Sequence, residues 1–242
     1  AVDLAEKQIA LLKEHKQILI QNAVIRGLNP DVPLKDSGVE WIGQVPEHWD
    51  VKKLKNIALI FNGATPSSNN QDYWDGNIVW ITPKDINNIK FITSSERKIT
   101  QKGYENCGSY LVSPGTIVIT TRAPIGKVAI TDVELCTNQG CKSLVLNEKI
   151  NNIFLYYYLT VSTEYLNSLG SGTTFMELSG TALGIIKVPF PSIQEQQQIA
   201  DYLDTQTAKI DQAIALKTAH IEKLKEYKSV LINDVVTGKV QV

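Results

Sequence analysis

The residue types that most often carry catalysis are scattered along this chain. Its three histidines are far apart in sequence, at His15, His48 and His220. A carboxylate cluster could be assembled from Asp85, Asp132 and Glu134, but solvated loop charges explain these common residues better. The glycine-rich residues 169–174 have neither the spacing nor the lysine of a phosphate-binding loop. The sequence therefore predicts no catalytic residues and no metal ligands in this chain.

Polar side chains, in contrast, are concentrated in segments that we expect to be loops. Asn and Gln can make paired hydrogen bonds to adenine in the major groove of DNA, and Lys and Arg can do so to guanine. Residues 65–71 and 137–140 supply such amides and hydroxyls, and basic residues stand near the expected strand ends. Polar loops are also the default on any protein surface, and Asn138, Gln139 and the turn at Gly172 have an alternative role in fixing loop geometry. The candidates for DNA contact are Ser67, Asn69, Asn70, Lys84, Arg122, Lys127, Asn138, Gln139, Lys142, Thr173 and Thr174.

Charge and cysteine content restrict the setting in which such contacts could work. The formal net charge is −1, and residues 33–191 carry 14 basic and 14 acidic side chains. A protein that clamps DNA alone usually has a basic excess. Either the chain does not bind DNA, or local patches and a partner supply the phosphate contacts. Cys107, Cys136 and Cys141 form no CxxC pair, which favours reduced thiols in the cytoplasm, and no segment predicts a membrane span.

Long helices precede and follow these candidate loops. From residue 193 to about residue 235 the chain has no Pro or Gly. Nine positions from Thr207 to Val235, Lys228 among them, follow alternating steps of three and four and form a heptad seam that is apolar at six of the nine. Ser192 and Glu195 predict a capping box at the start of this helix, and Gly238 predicts its end. Residues 4–26 predict a second helix, closed by Gly27 and Pro30. The residues that we expect to pack these helices are Ile9, Leu12, Leu19, Ile210, Ile214, Ile221, Leu224 and Leu231.

The two helices repeat each other in sequence. Residues 9–24 align without gaps on residues 221–236, and eight of the sixteen positions are identical. Amphipathic helices share some letters by chance, but this number favours a true internal repeat. A repeat 212 residues apart is too long for a solenoid period. It indicates a unit of domain plus helix copied in tandem, and hence a two-fold partner or two copies of one partner.

Between the helices, short β-branched runs are bounded by turn residues. Strands are predicted at residues 57–61, 77–81, 116–121, 127–131, 142–146 and 184–190, with one helix at 153–169. Because regular alternation of strand and helix is missing, the pattern predicts an α+β fold with a mostly antiparallel or mixed sheet.

Several motifs in this chain resemble those of one protein family. Residues 36–49 read DSGVEWIGQVPEHW. This stretch is similar to the opening of target recognition domains in the specificity subunits of type I restriction–modification systems. Further similar stretches lie at residues 63–66, 73–74, 80–82, 137–140, 172–174, 189–191, 195–196 and 236–239. The resemblance covers essentially the whole chain.

The resemblance implies an architecture and a role. Residues 1–28 would be an N-terminal conserved helix, 33–191 a β-rich target recognition domain, and 192–238 a C-terminal conserved helix. The helices would form an antiparallel, coiled-coil-like spacer. The recognition domain would read half of a split site in double-stranded DNA, and the helices would dock methyltransferase subunits, with restriction subunits able to join. Catalysis and S-adenosylmethionine would belong to these partners, so the chain itself would be no enzyme and hold no cofactor.

The chain departs from the family pattern in carrying one recognition domain where a full subunit carries two. It therefore corresponds to a C-terminal half, or to a half-length subunit that would act as a homodimer. Two other functions stay open at the level of sequence. One is a coiled-coil scaffold that binds protein rather than DNA, and the other is the specificity end of a fused enzyme.

Overall fold

Residues 2–87, 89–172 and 176–237, which the computed structural model describes, form six α-helices and twelve β-strands; within α6 the side chains at 231, 232 and 234–236 are not described. In chain order the elements are α1 (Val2–Arg26), β1 (Leu34–Asp36), β2 (Gln44–Pro46), β3 (Asp50–Lys53), β4 (Ala58–Asn62), β5 (Trp74–Ile81), β6 (Phe91–Ile92), β7 (Lys98–Ile99), α2 (Gln101–Glu105), β8 (Ile117–Thr120), β9 (Val128–Thr131), β10 (Leu135–Thr137), β11 (Cys141–Leu146), α3 (Asn152–Val161), α4 (Thr163–Ser168), α5 (Gly180–Ile185), β12 (Lys187–Phe190) and α6 (Ile193–Val236).

The chain divides into a helical unit, Ala1–Asn22 with Asp201–Val242, and a central unit, Ala23–Ala200. In the helical unit, Lys16 Nζ lies 2.6 Å from Asp211 Oδ2, and Lys217 Nζ donates to Gln8 Oε1 at 2.7 Å. Residue numbers on α6 thus rise as those on α1 fall. This pairing confirms the predicted antiparallel arrangement of the two helices.

The seam between these helices follows the heptad positions. Ile210 and Ile221 are buried, and the other described apolar candidates for helix packing are half-buried: Ile9, Leu12, Leu19, Ile214 and Leu224. The side chain of Leu231 lies outside the described residues. Lys228, a further heptad position, is exposed. The Lys16–Asp211 and Gln8–Lys217 contacts set the register of the helix pair. In this register the described part of α1 ends opposite about residue 224 of α6, so α1 does not cover Lys228.

Two mixed sheets form the core of the central unit. A five-stranded sheet has the order β4-β11-β8-β9-β6, and a three-stranded sheet has the order β10-β5-β7. The β6–β9 and β10–β5 pairs are parallel and the others antiparallel, so the predicted mixed sheet and α+β class are confirmed. Apolar side chains from both sheets meet in one buried cluster that includes Ile81, Ile92, Val118 and Leu135.

Two predicted elements of the central unit are wrong in their extent. The helix expected at 153–169 is two helices, because the backbone at Ser162 leaves the helical conformation and its hydroxyl donates to the Tyr158 carbonyl at 2.6 Å. The strand expected at 184–190 begins only at Lys187, because Ser179 caps a short helix, α5, by accepting from Ala182 N at 3.0 Å.

Long helices end and begin in the central unit beside one tryptophan. The predicted stop of α1 is confirmed: Gly27 follows Arg26 with a φ of +75°, and a Cβ there would lie 3.1 Å from the Trp49 ring. Glu195 N donates to the Ser192 hydroxyl at 3.2 Å, as an N-cap requires. The Glu195 carboxylate, however, accepts from Trp49 Nε1 at 3.0 Å and contacts His48 Nε2 at 3.2 Å. The predicted capping box is therefore only half formed.

Candidate nucleic-acid interface

The loops that carry the candidate residues leave the sheets at one end. In the five-stranded sheet, Asn62 at the close of β4 pairs with Lys142 at the start of β11, and Thr120 at the close of β8 pairs with Cys141. In the other sheet, β5 and β10 are parallel and end together, and Asn138 N donates to the Ile81 carbonyl at 2.8 Å. We call this surface the loop end and define it as residues 62–70, 82–87, 95–97, 121–127, 138–142, 171–172 and 176–177.

Close backbone approach joins the loops at 62–70 and 138–142. Gly63 lies against the 138 peptide, and a Cβ at position 63 would stand 2.0 Å from the Asn138 carbonyl oxygen. Ala64 N donates to the Thr137 carbonyl at 2.9 Å, and the Thr65 hydroxyl donates to Gln139 Oε1. Only glycine fits at position 63 without displacing the neighbouring loop.

A single carboxylate orders the loop that carries Lys84. Asp85 Oδ2 accepts from the backbone N–H of Thr82 at 2.8 Å and from its hydroxyl at 2.7 Å. Asp85 Oδ1 accepts from Glu96 N at 2.8 Å, which links this loop to the next one. Lys84 is exposed in the ordered turn. Asp85, considered above as a catalytic carboxylate, thus has a structural role that uses both of its oxygens.

The cations Lys142 and Arg122 of the loop end have partners inside the protein. Lys142 is 5% exposed, and its Nζ donates to Asn62 Oδ1 at 2.9 Å. Burial lowers the pKa of the Lys142 ammonium below its ordinary value; Glu177 opposes this change and Arg122 adds to it. Arg122 Nε donates to Glu177 Oε2 at 3.0 Å. Neither cation is free of internal contacts, so each would have to share its contacts with DNA.

The remaining predicted residues differ in how far they are available. Ser67 and Asn69 are exposed, whereas Asn70 Oδ1 accepts from Asp72 N at 3.1 Å and so caps a turn. Lys127 is half-buried and its Nζ donates to Asn87 Oδ1 at 3.3 Å. Asn138 Oδ1 accepts from Gly140 N at 2.9 Å, which agrees with a role in loop geometry. Thr173 and Thr174 lie outside the described residues.

The loop end also holds an arginine that sequence reasoning missed. Arg97 is exposed, and its guanidinium carbon lies 3.6 Å from the centre of the Trp74 ring. The only signal in the sequence is its position just before a short β-branched run, and this run was too short to be predicted as a strand. With Lys84 and Lys127, Arg97 adds positive charge to a surface where Asp85 and Glu177 bind groups of the protein itself. A local basic surface is thus compatible with the net charge of −1.

Residues 2–87, 89–172 and 176–237 contain neither a helix suited to crossing a membrane nor a group of side chains suited to holding a metal ion. No helix in these ranges combines the length and the apolar character that crossing a bilayer requires. The same ranges contain no group of three or more His, Cys, Asp or Glu side chains arranged to hold a metal ion.

Comparison with known proteins gives a consistent result. The family described as the type I restriction modification DNA specificity domain matches residues 46–226. The specificity subunit of the type I restriction enzyme MjaIX from Methanocaldococcus jannaschii is 44% identical over 166 residues, which are 67% of this chain and 38% of that protein. A solved chain of a type I R-M system superimposes with a TM-score of 0.72 at 20% identity, covering 96% of this chain and 54% of the other. The HsdS subunit from Thermoanaerobacter tengcongensis gives a TM-score of 0.65 at 17% identity, covering 99% and 54%. The chain thus spans about half the length, or less, of the proteins it matches.

Proposed function

Because this chain belongs to the type I restriction modification DNA specificity family, we propose that it reads one half of a split site in double-stranded DNA for a methyltransferase. The reading domain is residues 33–191, and the helices at 1–28 and 192–238 are the spacer that sets the gap between half-sites. The chain recognises and positions DNA, whereas methylation and cleavage reside in partner subunits. The family assignment favours this function over the protein-binding scaffold.

The observation that carries the proposal is the convergence of the candidate loops. Three separate segments of the sequence bring Lys84, Arg122, Lys127 and Gln139 to the loop end. Side chains for major-groove contacts are therefore grouped on one surface, as base reading requires. Exposed Ser67 and Asn69 adjoin the same surface through the contact of Thr65 with Gln139.

The helical unit supports docking of a methyltransferase subunit along a second apolar stripe. Leu4, Leu11 and Ile18 stand at seven-residue steps on α1 and are 63%, 63% and 49% exposed. On α6, Leu216 and Val230 are 68% and 53% exposed. Seven-residue steps keep side chains on one helix face, and exposed apolar patches mark interaction sites.

Two of the three α1 residues of this stripe have apolar counterparts at the offset of the internal repeat, whereas Leu11 aligns with Lys223. The offset of 212 residues aligns Leu4 with Leu216 and Ile18 with Val230. A two-fold rotation exchanges two antiparallel helices when its axis is normal to the plane that contains both of them. Because this rotation does not turn the helix pair over, it maps the face that carries the stripe onto itself. The exposed leucines of α1 and α6 therefore belong to one face of the helix pair.

Methylation of random DNA tests the reading function. The chain would be co-expressed in the cytoplasm with its cognate methyltransferase and restriction subunit. The methyltransferase would bind S-adenosylmethionine. Modified sites would be identified by sequencing. We expect methylation within a split motif. If this chain acts as a homodimer, the motif is symmetric. A complex that assembles yet methylates without sequence preference would contradict the proposal.

A pair of variants tests the docking face separately. Leu216→Glu introduces a charge into the exposed stripe and should abolish co-purification of the methyltransferase. Thr218→Glu is the matched control, since residue 218 is also exposed but lies on the opposite flank of α6. Equal co-purification by both variants would contradict docking on the stripe.

A further inference from the structure

We propose that Arg97 determines specificity by donating two hydrogen bonds to a guanine in the major groove. This inference rests on the proposed function and names one reader within it. The Arg97 backbone is fixed at the loop end, its side chain stacks on a tryptophan, and its guanidinium group matches the acceptors of guanine.

The backbone of Arg97 is fixed where the chain enters a strand. The next residues, Lys98 and Ile99, form β7 and pair with β5. Ser95 Oγ donates to the Arg97 carbonyl at 2.6 Å and accepts from Trp80 N at 3.2 Å. The side chain therefore starts from an ordered position at the loop end.

The side chain is held by a tryptophan that is itself locked. Trp74 is 7% exposed, and its ring lies 3.6 Å below the Arg97 guanidinium carbon. Trp74 Nε1 donates to the Ser67 carbonyl at 3.2 Å, and the Trp80 ring packs edge-on against it at 5.2 Å. The same indole thus fixes both Arg97 and the loop of Ser67 and Asn69.

Stacking leaves the hydrogen-bonding edge of the guanidinium available. A ring contact covers one face of the planar group, while its N–H groups point outward in the plane. Among the residues that the structure describes, no carboxylate lies within 4.0 Å of the Arg97 guanidinium, whereas Arg122 is paired with Glu177. A pre-ordered fork of donors matches N7 and O6 of guanine, which is the commonest specific contact of arginine with DNA.

The test compares methylation motifs of the complex formed by this chain and its cognate methyltransferase. The wild type, Arg97→Ala, Arg97→Lys and Lys102→Ala would each be assayed on random DNA over a series of salt concentrations. Lys102 is the matched control because it is exposed and paired with Asp72 at 2.7 Å. Arg97→Lys keeps the charge but loses the planar fork.

We expect both Arg97 variants to relax one G·C position of the motif about ten-fold or more, with the other positions unchanged. The Lys102→Ala motif should equal that of the wild type. An equal loss over all sequences, with a salt slope smaller by about one, would assign Arg97 to a phosphate instead and overturn the inference. An unchanged motif in Arg97→Ala would overturn it too. A wild-type complex without any motif refutes the proposed function itself, independently of the variants.

Discussion

The helical unit makes one kind of contact many times, whereas each loop of the loop end is held by a contact that occurs once. Along α1 and α6 the same heptad positions are covered turn after turn, from Ile9 to Leu19 and from Ile210 to Leu224. At the loop end, Asp85 orders one loop, Gly63 permits one close approach, and Trp74 holds one arginine.

This difference suits the two proposed tasks. A spacer needs a fixed length, and a repeated apolar seam supplies it with many interchangeable parts. A reading surface needs different side chains at different positions, so its supporting contacts cannot be copies of one another. We therefore expect substitutions in the helices to act mainly on stability and assembly, and substitutions at the loop end to act mainly on DNA reading.

The largest effect that we expect comes from a charge in the helix seam. Ile210 is 9% exposed, so Ile210→Asp would bury an unpaired carboxylate and lower the free energy of unfolding by about 3 kcal/mol. Urea denaturation followed by circular dichroism measures it. Leu216→Asp, at an exposed position of the same helix, should cost less than about 0.5 kcal/mol. Similar losses in both variants would show that the seam does not stabilise the helical unit.

A methyl group added to a glycine of the loop end should lower both the stability of the fold and the affinity for DNA. Gly63→Ala places a Cβ 2.0 Å from the Asn138 carbonyl oxygen and 2.4 Å from Thr137 Oγ1. We expect a loss of about 1–3 kcal/mol in the free energy of unfolding, together with weaker DNA binding by the assembled complex. Gly108→Ala is the control, since the nearest atom to its Cβ would be Ala64 Cβ at 4.0 Å. If both variants bind DNA like the wild type, the close approach is unimportant for reading.

Removal of a buried cation should weaken DNA binding without lowering the stability of the fold. Lys142→Met removes an ammonium whose pKa is lowered by burial, so we expect unchanged or slightly higher stability but weaker DNA binding. The pKa of lysine in the unfolded chain is about 10.4, which lies above the folded pKa of Lys142. Between these two values the unfolded state therefore binds more protons. The wild type therefore gains stability relative to Lys142→Met as the pH rises through that interval. Unfolding curves at pH 7 and above would reveal the trend, and a constant difference would contradict it.

The smallest effect should come from an exposed ion pair. Lys16 and Asp211 lie 2.6 Å apart at partly exposed positions. Lys16→Ala should lower the free energy of unfolding by about 0.2–1 kcal/mol, and the difference should shrink in high salt. A loss as large as that of Ile210→Asp would mean that polar contacts, rather than the apolar seam, hold the helices.

The helices could be predicted from the sequence because their pattern is local. Spacings of three and four residues reveal the seam, and Gly27 marks the end of α1. The capping prediction fails for a reason that is not local: Glu195 satisfies the capping pattern, but its carboxylate accepts from Trp49, which is distant in sequence. Ser162 carries no signal strong enough to predict the break between α3 and α4.

At the loop end, sequence reasoning could name residue types but not their surroundings. Lys142 was selected for its charge, yet its burial depends on β8 and β4, which lie on either side of it in the sheet. Arg97 was missed because its importance comes from Trp74, 23 positions earlier in the chain. Such pairings follow from strand register, which no short window of the sequence contains.

Hydrogen bonds within the loops determine which residues can be replaced when this protein is re-engineered. Asn70, Asp85 and Asn138 direct side-chain oxygens at backbone N–H groups of their own loops, so replacing them would disturb loop shape as well as surface chemistry. Ser67, Asn69 and Lys84 present exposed side chains on the same loops. Combinatorial mutagenesis confined to the exposed set should thus yield folded variants with altered preferences, whereas mutagenesis of the bonded set should yield mostly inactive protein.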